Sequence, residues 1–198
     1  MVKKILIGLV VVIATFLVYA AMRPGAYHVE RSATMGAPPD VVLGVVGDFR
    51  RFGEWSPWEK IDPAMKRTVE GPPSTVGSSY AWVGNKDAGE GRMSITEVQP
   101  DHIGMKWEFI KPWEATCSAA ITAVPEGDGS RVTWSMDGTN NYLSKMMSVF
   151  VSMDRMIGKD FEKGLAQLKP VAEASAQTIA AATAPAPAAA GDSGTGTQ

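Results

Sequence analysis

The side chains that most often carry acid–base, nucleophilic or metal chemistry are sparse in this 198-residue chain, which has two histidines and one cysteine. His28 and His102 lie far apart and form neither an HxH nor an HxxxH pair, so a histidine-built zinc or iron centre has no ligand spacing to rest on. Cys117 stands alone, which excludes an intramolecular disulfide and a multi-thiolate metal site. Ser56, Ser94 and Ser135 have no histidine placed to act as their base, so no nucleophilic triad emerges. The carboxylates gather in two places: Asp48, Glu54 and Glu59 around one short stretch, and Glu90 and Glu97 along another. A carboxylate lodged in an apolar cavity would have a raised pKa and could serve as a general base. The competing reading pairs these groups with Arg50, Arg51 or Arg92 as ordinary solvated charges. No catalytic residue, cofactor or metal is expected from these patterns. A formal net charge of -2 leaves no basic surplus for neutralising phosphates, so nucleic acid is not an expected partner.

What the chain does hold in quantity is apolar contact chemistry, with eleven methionines and six tryptophans. Methionine offers flexible, polarizable walls, and tryptophan an apolar body with a single N–H donor. The question becomes which elements position them.

Residues 27–35 alternate and run into Ala37-Pro38-Pro39-Asp40, where proline suits a first helical turn, so a strand followed by a helix over 40–46 is expected. A second short helix is expected over 50–55. Six stretches with strand periodicity follow, over 66–70, 78–83, 92–99, 102–110, 114–124 and 130–137, separated by short polar or proline-bearing turns. Met93 and Ile95, Ile103, Met105, Trp107 and Phe109, Cys117, Ala119 and Ile121, and Val132, Trp134 and Met136 each share one parity. Arg92, Ser94, Lys106, Glu108, Thr116, Ser118, Arg131 and Thr133 take the other, so one face is buried and one is wet. The cover for the apolar face is an amphipathic helix over 145–169, ending at Pro170, in which Met146, Val149, Phe150, Met153, Ile157, Phe161, Leu165 and Leu168 recur every three or four residues. Gly158 and Gly164 within it imply either close packing or room left beside the sheet.

The ends differ from this middle. Residues 5–22 carry no charge, follow Lys3 and Lys4, and as a helix would cover about 27 Å, close to the hydrocarbon thickness of a bilayer. A retained anchor is expected, with a cleaved signal peptide as the alternative because Val18-Tyr19-Ala20 followed by Ala21 resembles a small-residue cleavage site. The two lysines favour the cytoplasmic side, which places the folded part outside the cytoplasm. From about Ala174 the chain is nearly all Ala, Pro, Ser, Thr and Gly and reads as a disordered tail, or at most a helical extension over 174–182. The expected organisation is an anchor over 1–25, one α+β domain over 26–171 and a tail over 172–198.

The order of strand, two short helices, antiparallel run and long helix, together with particular words, resembles the SRPBCC superfamily (START-like, helix-grip fold), and within it the polyketide cyclase/dehydrase-like branch. Those words are Ala37-Pro38-Pro39, Phe52-Gly53-Glu54-Trp55-Ser56-Pro57-Trp58, Asp62-Pro63, Gly89-Glu90-Gly91-Arg92-Met93, Lys111-Pro112, Val132-Thr133-Trp134-Ser135-Met136-Asp137-Gly138 and Ile157-Gly158-Lys159-Asp160-Phe161-Glu162-Lys163-Gly164-Leu165. The resemblance implies a curved sheet of about seven strands wrapped on the C-terminal helix, with a ligand space between them. Its implied walls are Trp55, Trp58, Tyr80, Trp82, Met93, Ile95, Met105, Trp107, Phe109, Trp134 and Met136, with Phe150, Met153 and Ile157 from the helix. Plain core is the competing reading for each. With the apolar sheet face, the covering helix and the tether, the expectation is a membrane-anchored binder of a hydrophobic small molecule (a lipid, isoprenoid or aromatic metabolite); a polyketide cyclase/dehydratase-like enzyme using a cavity carboxylate and an envelope interaction module are the alternatives.

Overall fold

The structure, a computed structural model, describes residues 2–139, 145, 146, 149 and 152–183. Helix α1 (Val2–Ala21) is followed by strand β1 (Ala26–Met35), helix α2 (Pro39–Gly47), a 3-10 turn over Phe49–Arg51 and helix α3 (Phe52–Trp55). Then come β2 (Lys66–Glu70), β3 (Ser79–Val83), β4 (Glu90–Val98), β5 (His102–Lys111), β6 (Ala115–Glu126), β7 (Gly129–Thr139) and helix α4 (Met153–Thr183). The seven strands form one antiparallel sheet in the order β1-β7-β6-β5-β4-β3-β2, so the long return from β1 to β2 is filled by the short helices.

The alternation read from sequence sets the two faces. Val29, Met136, Ala119 and Met105 stand in one cross-strand row, and Arg31, Trp134, Ile121 and Ile103 in the next. Nearly all of these point inward and are buried, which supplies most of the core. Helix α2 starts with Pro39 in its first turn and buries Val42, Leu43, Val45 and Val46. Asp48 then caps the 3-10 turn by accepting from Arg50 N at 3.1 Å, which turns the chain toward α3.

Helix α4 departs from the bounds the periodicity predicts. Residues 145 and 146 are helical as expected, 147, 148, 150 and 151 lie outside the described residues, and α4 itself starts at Met153, where Ser152 Oγ accepts from Arg155 N at 3.2 Å. It also runs through Pro170 to Thr183 instead of ending there. A proline inside a helix removes one backbone donor and costs roughly 3 kcal/mol. Tertiary contacts offset this. Ala172 is fully buried, Glu173 Oε1 accepts from Gly36 N at 2.7 Å, and Arg51 Nη1 donates to Ser175 Oγ at 3.1 Å. The expected boundary at 171/172 therefore falls inside this helix, and residues 174–183 are helical rather than tail. The remainder of the expected tail, 184–198, lies outside the described residues, as does Phe150.

Arg31, an inward residue of β1, meets α4 on either side of Gly158. Its Nη1 donates to Asp154 Oδ1 at 2.8 Å and its Nε to Glu162 Oε1 at 2.8 Å, straddling Gly158. A side chain at Gly158 would start 2.1 Å from Arg31 Nη2, and one at Gly164 would start 2.6 Å from the Trp134 ring. Of the two meanings the helix glycines could carry, close packing is the one realised.

Candidate functional site

The interior is a nest of aromatic rings with two zones. In the deep zone Trp134 stacks on Phe161 (centroids 4.2 Å, 6° between planes) and meets Trp55 edge-on at 5.4 Å. Phe52 stands edge-on to Trp55 at 5.1 Å and to Tyr80 at 5.2 Å. Trp55, Tyr80, Met93, Ile95, Met105, Trp107, Trp134 and Met136 are all buried here. In the outer zone Trp58, Trp82, Phe109, Met153 and Ile157 pack against the core but are only half-buried. Trp58 bridges the zones, edge-on to both Trp107 (5.5 Å) and Trp134 (5.6 Å). Thirteen of the fourteen residues expected to line the site thus converge on one interior, and Phe150 lies outside the described residues.

Small residues on the sheet let these rings lie flat against it. A Cβ at Gly91 would stand 2.5 Å from the Trp82 ring, and one at Gly138 within 2.4 Å of Tyr27 Cζ. Space beside Trp134 is taken by Phe161 and by the α4 backbone at Gly164. Two concavities, of about 400 and 440 Å³, lie elsewhere: a groove between α3 and α4 at Arg51, Glu54, Val171 and Ser175, and a hollow along α1 at Ala14, Val18 and Met22.

The polar atoms in this nest are unevenly satisfied. Trp58 Nε1 donates to Asp160 Oδ2 at 3.1 Å and Trp82 Nε1 to Ala88 O at 3.2 Å. The indole N–H groups of Trp55, Trp107 and Trp134 are buried without an acceptor among the described residues. An unsatisfied buried donor costs about 1–3 kcal/mol. A few such groups are ordinary in a folded protein; here all three lie in one interior, where an acceptor would be gained.

Carboxylates behave otherwise. Among the described residues Glu59 is the most enclosed carboxylate in an ion pair, its side chain 9% exposed, and it accepts from Arg67 Nε at 2.5 Å and from the Tyr80 hydroxyl. Burial first, and then the hydrogen bond to Glu59, push the Tyr80 hydroxyl well above the usual phenol range. Asp62 accepts from Asn85 N at 2.7 Å and Ala64 N at 3.0 Å, tying the segment before β2 to the β3–β4 turn. Both carboxylates therefore clamp loops onto the sheet. Sequence spacing could not reveal Glu59–Tyr80 or Trp58–Asp160, because the partners are 21 and 102 residues apart.

Cys117 is buried on the inward parity, under Tyr27. Burial is the main reason its thiol is pushed up to about 11, and Tyr27, sharing a hydrogen bond with it, is pushed up to about 12. In the folded chain at neutral pH, Cys117 should react with iodoacetamide at least ~10-fold more slowly than after unfolding. Mass spectrometry of timed aliquots measures this, and equal rates in the two states would contradict the burial.

An antiparallel sheet gripping one long helix over an apolar interior defines the helix-grip, or START-like, class of proteins. The family model described as polyketide cyclase / dehydrase and lipid transport matches residues 26–173, and the chain belongs to that family. Among solved structures it is similar to protein CV1439 from Chromobacterium violaceum, at 15% identity over 74% of this chain and 96% of that one, TM-score 0.55. It is similar also to protein Ms6760 from Mycobacterium smegmatis (17% identity, 75% and 92% covered, TM-score 0.52). A third is the di-domain ARO/CYC StfQ from the steffimycin biosynthetic pathway (12% identity, 79% and 52% covered, TM-score 0.57). At these identities the likeness is one of fold. No curated protein matches.

Proposed function

We propose that the protein is a membrane-anchored binding protein for a hydrophobic small molecule, a lipid, isoprenoid or aromatic metabolite that carries oxygen acceptors. The observation that carries this reading is the set of three buried indole donors, on Trp55, Trp107 and Trp134, with no acceptor among the described residues. A guest entering from the outer zone would have to part these rings, which lie in contact in the fold; its carbonyl or hydroxyl oxygens would then satisfy donors that the folded chain leaves bare, while Met93, Met105, Met136 and Met153 adapt to its apolar body. The outer zone at Trp58, Trp82, Phe109, Met153 and Ile157 is the way in, being the part of the interior not sealed by packing.

The anchor in this reading is α1. It is long and apolar enough to cross a membrane; of its two hydroxyls Thr15 bonds back to Val11 O at 2.8 Å, and Tyr19 stands near the C-terminal end of the helix, where a phenol suits the lipid–water boundary. Lys3 and Lys4 before it favour a domain on the extracytoplasmic side.

The test is uptake of the fluorescent probe N-phenyl-1-naphthylamine by the full chain in nanodiscs, with empty nanodiscs as control. Saturable binding is expected, together with an apolar molecule found by mass spectrometry after solvent extraction. Phe109→Arg, which places a charge at the half-buried opening, should weaken probe binding by about tenfold or more at a similar melting temperature. No saturable uptake and no extracted guest would remove the reading.

A further inference from the structure

Strand register brings α1 and one particular hairpin to the same end of the sheet. Ala26 pairs with Thr139, Cys117 with Gly138, and Phe109 with Ala115, so the start of β1, the end of β7 and the β5–β6 turn share that end. Glu90 pairs with both Lys111 and Val83, which adds the β3–β4 turn. At the tip of the β5–β6 turn Trp113 is 69% exposed, against 0–4% for Trp55, Trp107 and Trp134. Ile61, Val83 and Ile110 are exposed near the same end. The opposite end exposes Val76, Val98 and Val124 but no tryptophan.

An indole in water is unfavourable, and its preferred resting place is the boundary between lipid tails and headgroups, where the ring is in apolar surroundings and the N–H meets polar groups. The distances suit that placement. Residues 22–25 are the whole connection between α1 and β1, so Ala21 and Ala26 stand at most about 18 Å apart even when it is extended. Ala20, near the end of α1, is buried. The β5–β6 turn lies two to three strands across from β1, roughly 10–15 Å at ordinary strand spacing. The half-buried zone at Trp82 and Phe109 faces this same end, since Trp82, Gly91 and Phe109 are the last inward row before the turns.

We infer that the β5–β6 hairpin is a second, peripheral membrane contact: Trp113 inserts into the interface of the bilayer that α1 spans, holding the open zone of the interior against the lipid. This rests on α1 being a retained anchor. The occupant of the exposed patch is therefore the lipid surface, fixed by the short tether rather than by affinity alone.

The experiment uses the full chain in proteoliposomes, with matched vesicles containing phosphatidylcholine brominated at the 6,7 positions. All six tryptophans lie outside α1, so every quenched emitter belongs to the folded part. Carbonate washing comes first: retention in the pellet supports the anchor, and release overturns the anchor and this inference with it. In retained protein, tryptophan emission should fall in brominated vesicles, and Trp113→Phe should reduce that fall by at least about twofold. No quenching, or quenching unchanged in Trp113→Phe, overturns the hairpin contact and leaves the anchor standing. The substituted residue is exposed, so the variant is expected to melt with the wild type.

Discussion

Replacing Trp134 with alanine is expected to destabilise the domain by about 3–5 kcal/mol, the range for removing a large aromatic side chain from a closed core. For a domain of this size that corresponds to a fall in melting temperature of about 10–20 °C. The effect is large because Trp134 is fully buried and touches every part of the interior: Phe161 on its face, Trp55 and Trp58 on its edges, and Gly164 of α4 against its ring. Removing it leaves a void bounded by rings that cannot collapse together without moving α4. Trp134→Phe separates two contributions. It keeps a ring on Phe161 and deletes a donor that has no acceptor, so it should cost less than half as much as alanine. Differential scanning fluorimetry of the full chain in detergent measures both. An alanine variant melting within a few degrees of wild type would show that the sheet and α4 do not close on Trp134 as described.

The second large effect is expected at Gly164, and here local and tertiary physics point in opposite directions. In an isolated helix, glycine to alanine would stabilise by about 1 kcal/mol. In the fold, the new Cβ would stand 2.6 Å from Trp134 Cζ3 and 3.3 Å from Pro57 Cδ, and the Trp134 ring is held on its other face by Phe161. Overpacking of that kind costs about 1–3 kcal/mol, so Gly164→Ala should be net destabilising and Gly164→Leu should lose about 3 kcal/mol or more. Gly158 is the control. Its nearest neighbour is the end of the flexible Arg31 side chain, which can swing aside because its partners Asp154 and Glu162 are themselves exposed. Gly158→Ala should therefore be near neutral, the helix gain offsetting the displaced guanidinium. If both alanines behaved alike, the contrast between a rigid and a movable neighbour would be wrong.

Much of this architecture is legible in the chain alone. Alternation assigned Met93, Ile95, Met105, Trp107, Trp134 and Met136 to one face, because a strand's side chains have a period of two whatever surrounds them. The turns and the amphipathic period of α4 were readable for the same reason: each is a property of a few consecutive residues. The words around Trp55-Ser56-Pro57-Trp58 and Val132-Thr133-Trp134 were enough to indicate the family, which the match over residues 26–173 shows.

Tertiary structure decided what depends on residues meeting across long stretches of chain. Pro170 is locally a helix stop, yet the helix continues because Ala172 and Glu173 find partners on the Gly36 side of the molecule. Glu59, a candidate base by sequence, is held by Arg67 and Tyr80, a pairing set by how the segment before β2 folds over β3. Trp113 passes unnoticed in the sequence as part of a short turn, and only strand register puts it beside the root of α1. How full the interior is was also beyond the sequence. Parity says which rings point inward, but whether they leave a hollow or fill it depends on how closely α4 approaches the sheet, which Gly164 against the Trp134 ring allows through a contact that no local pattern encodes.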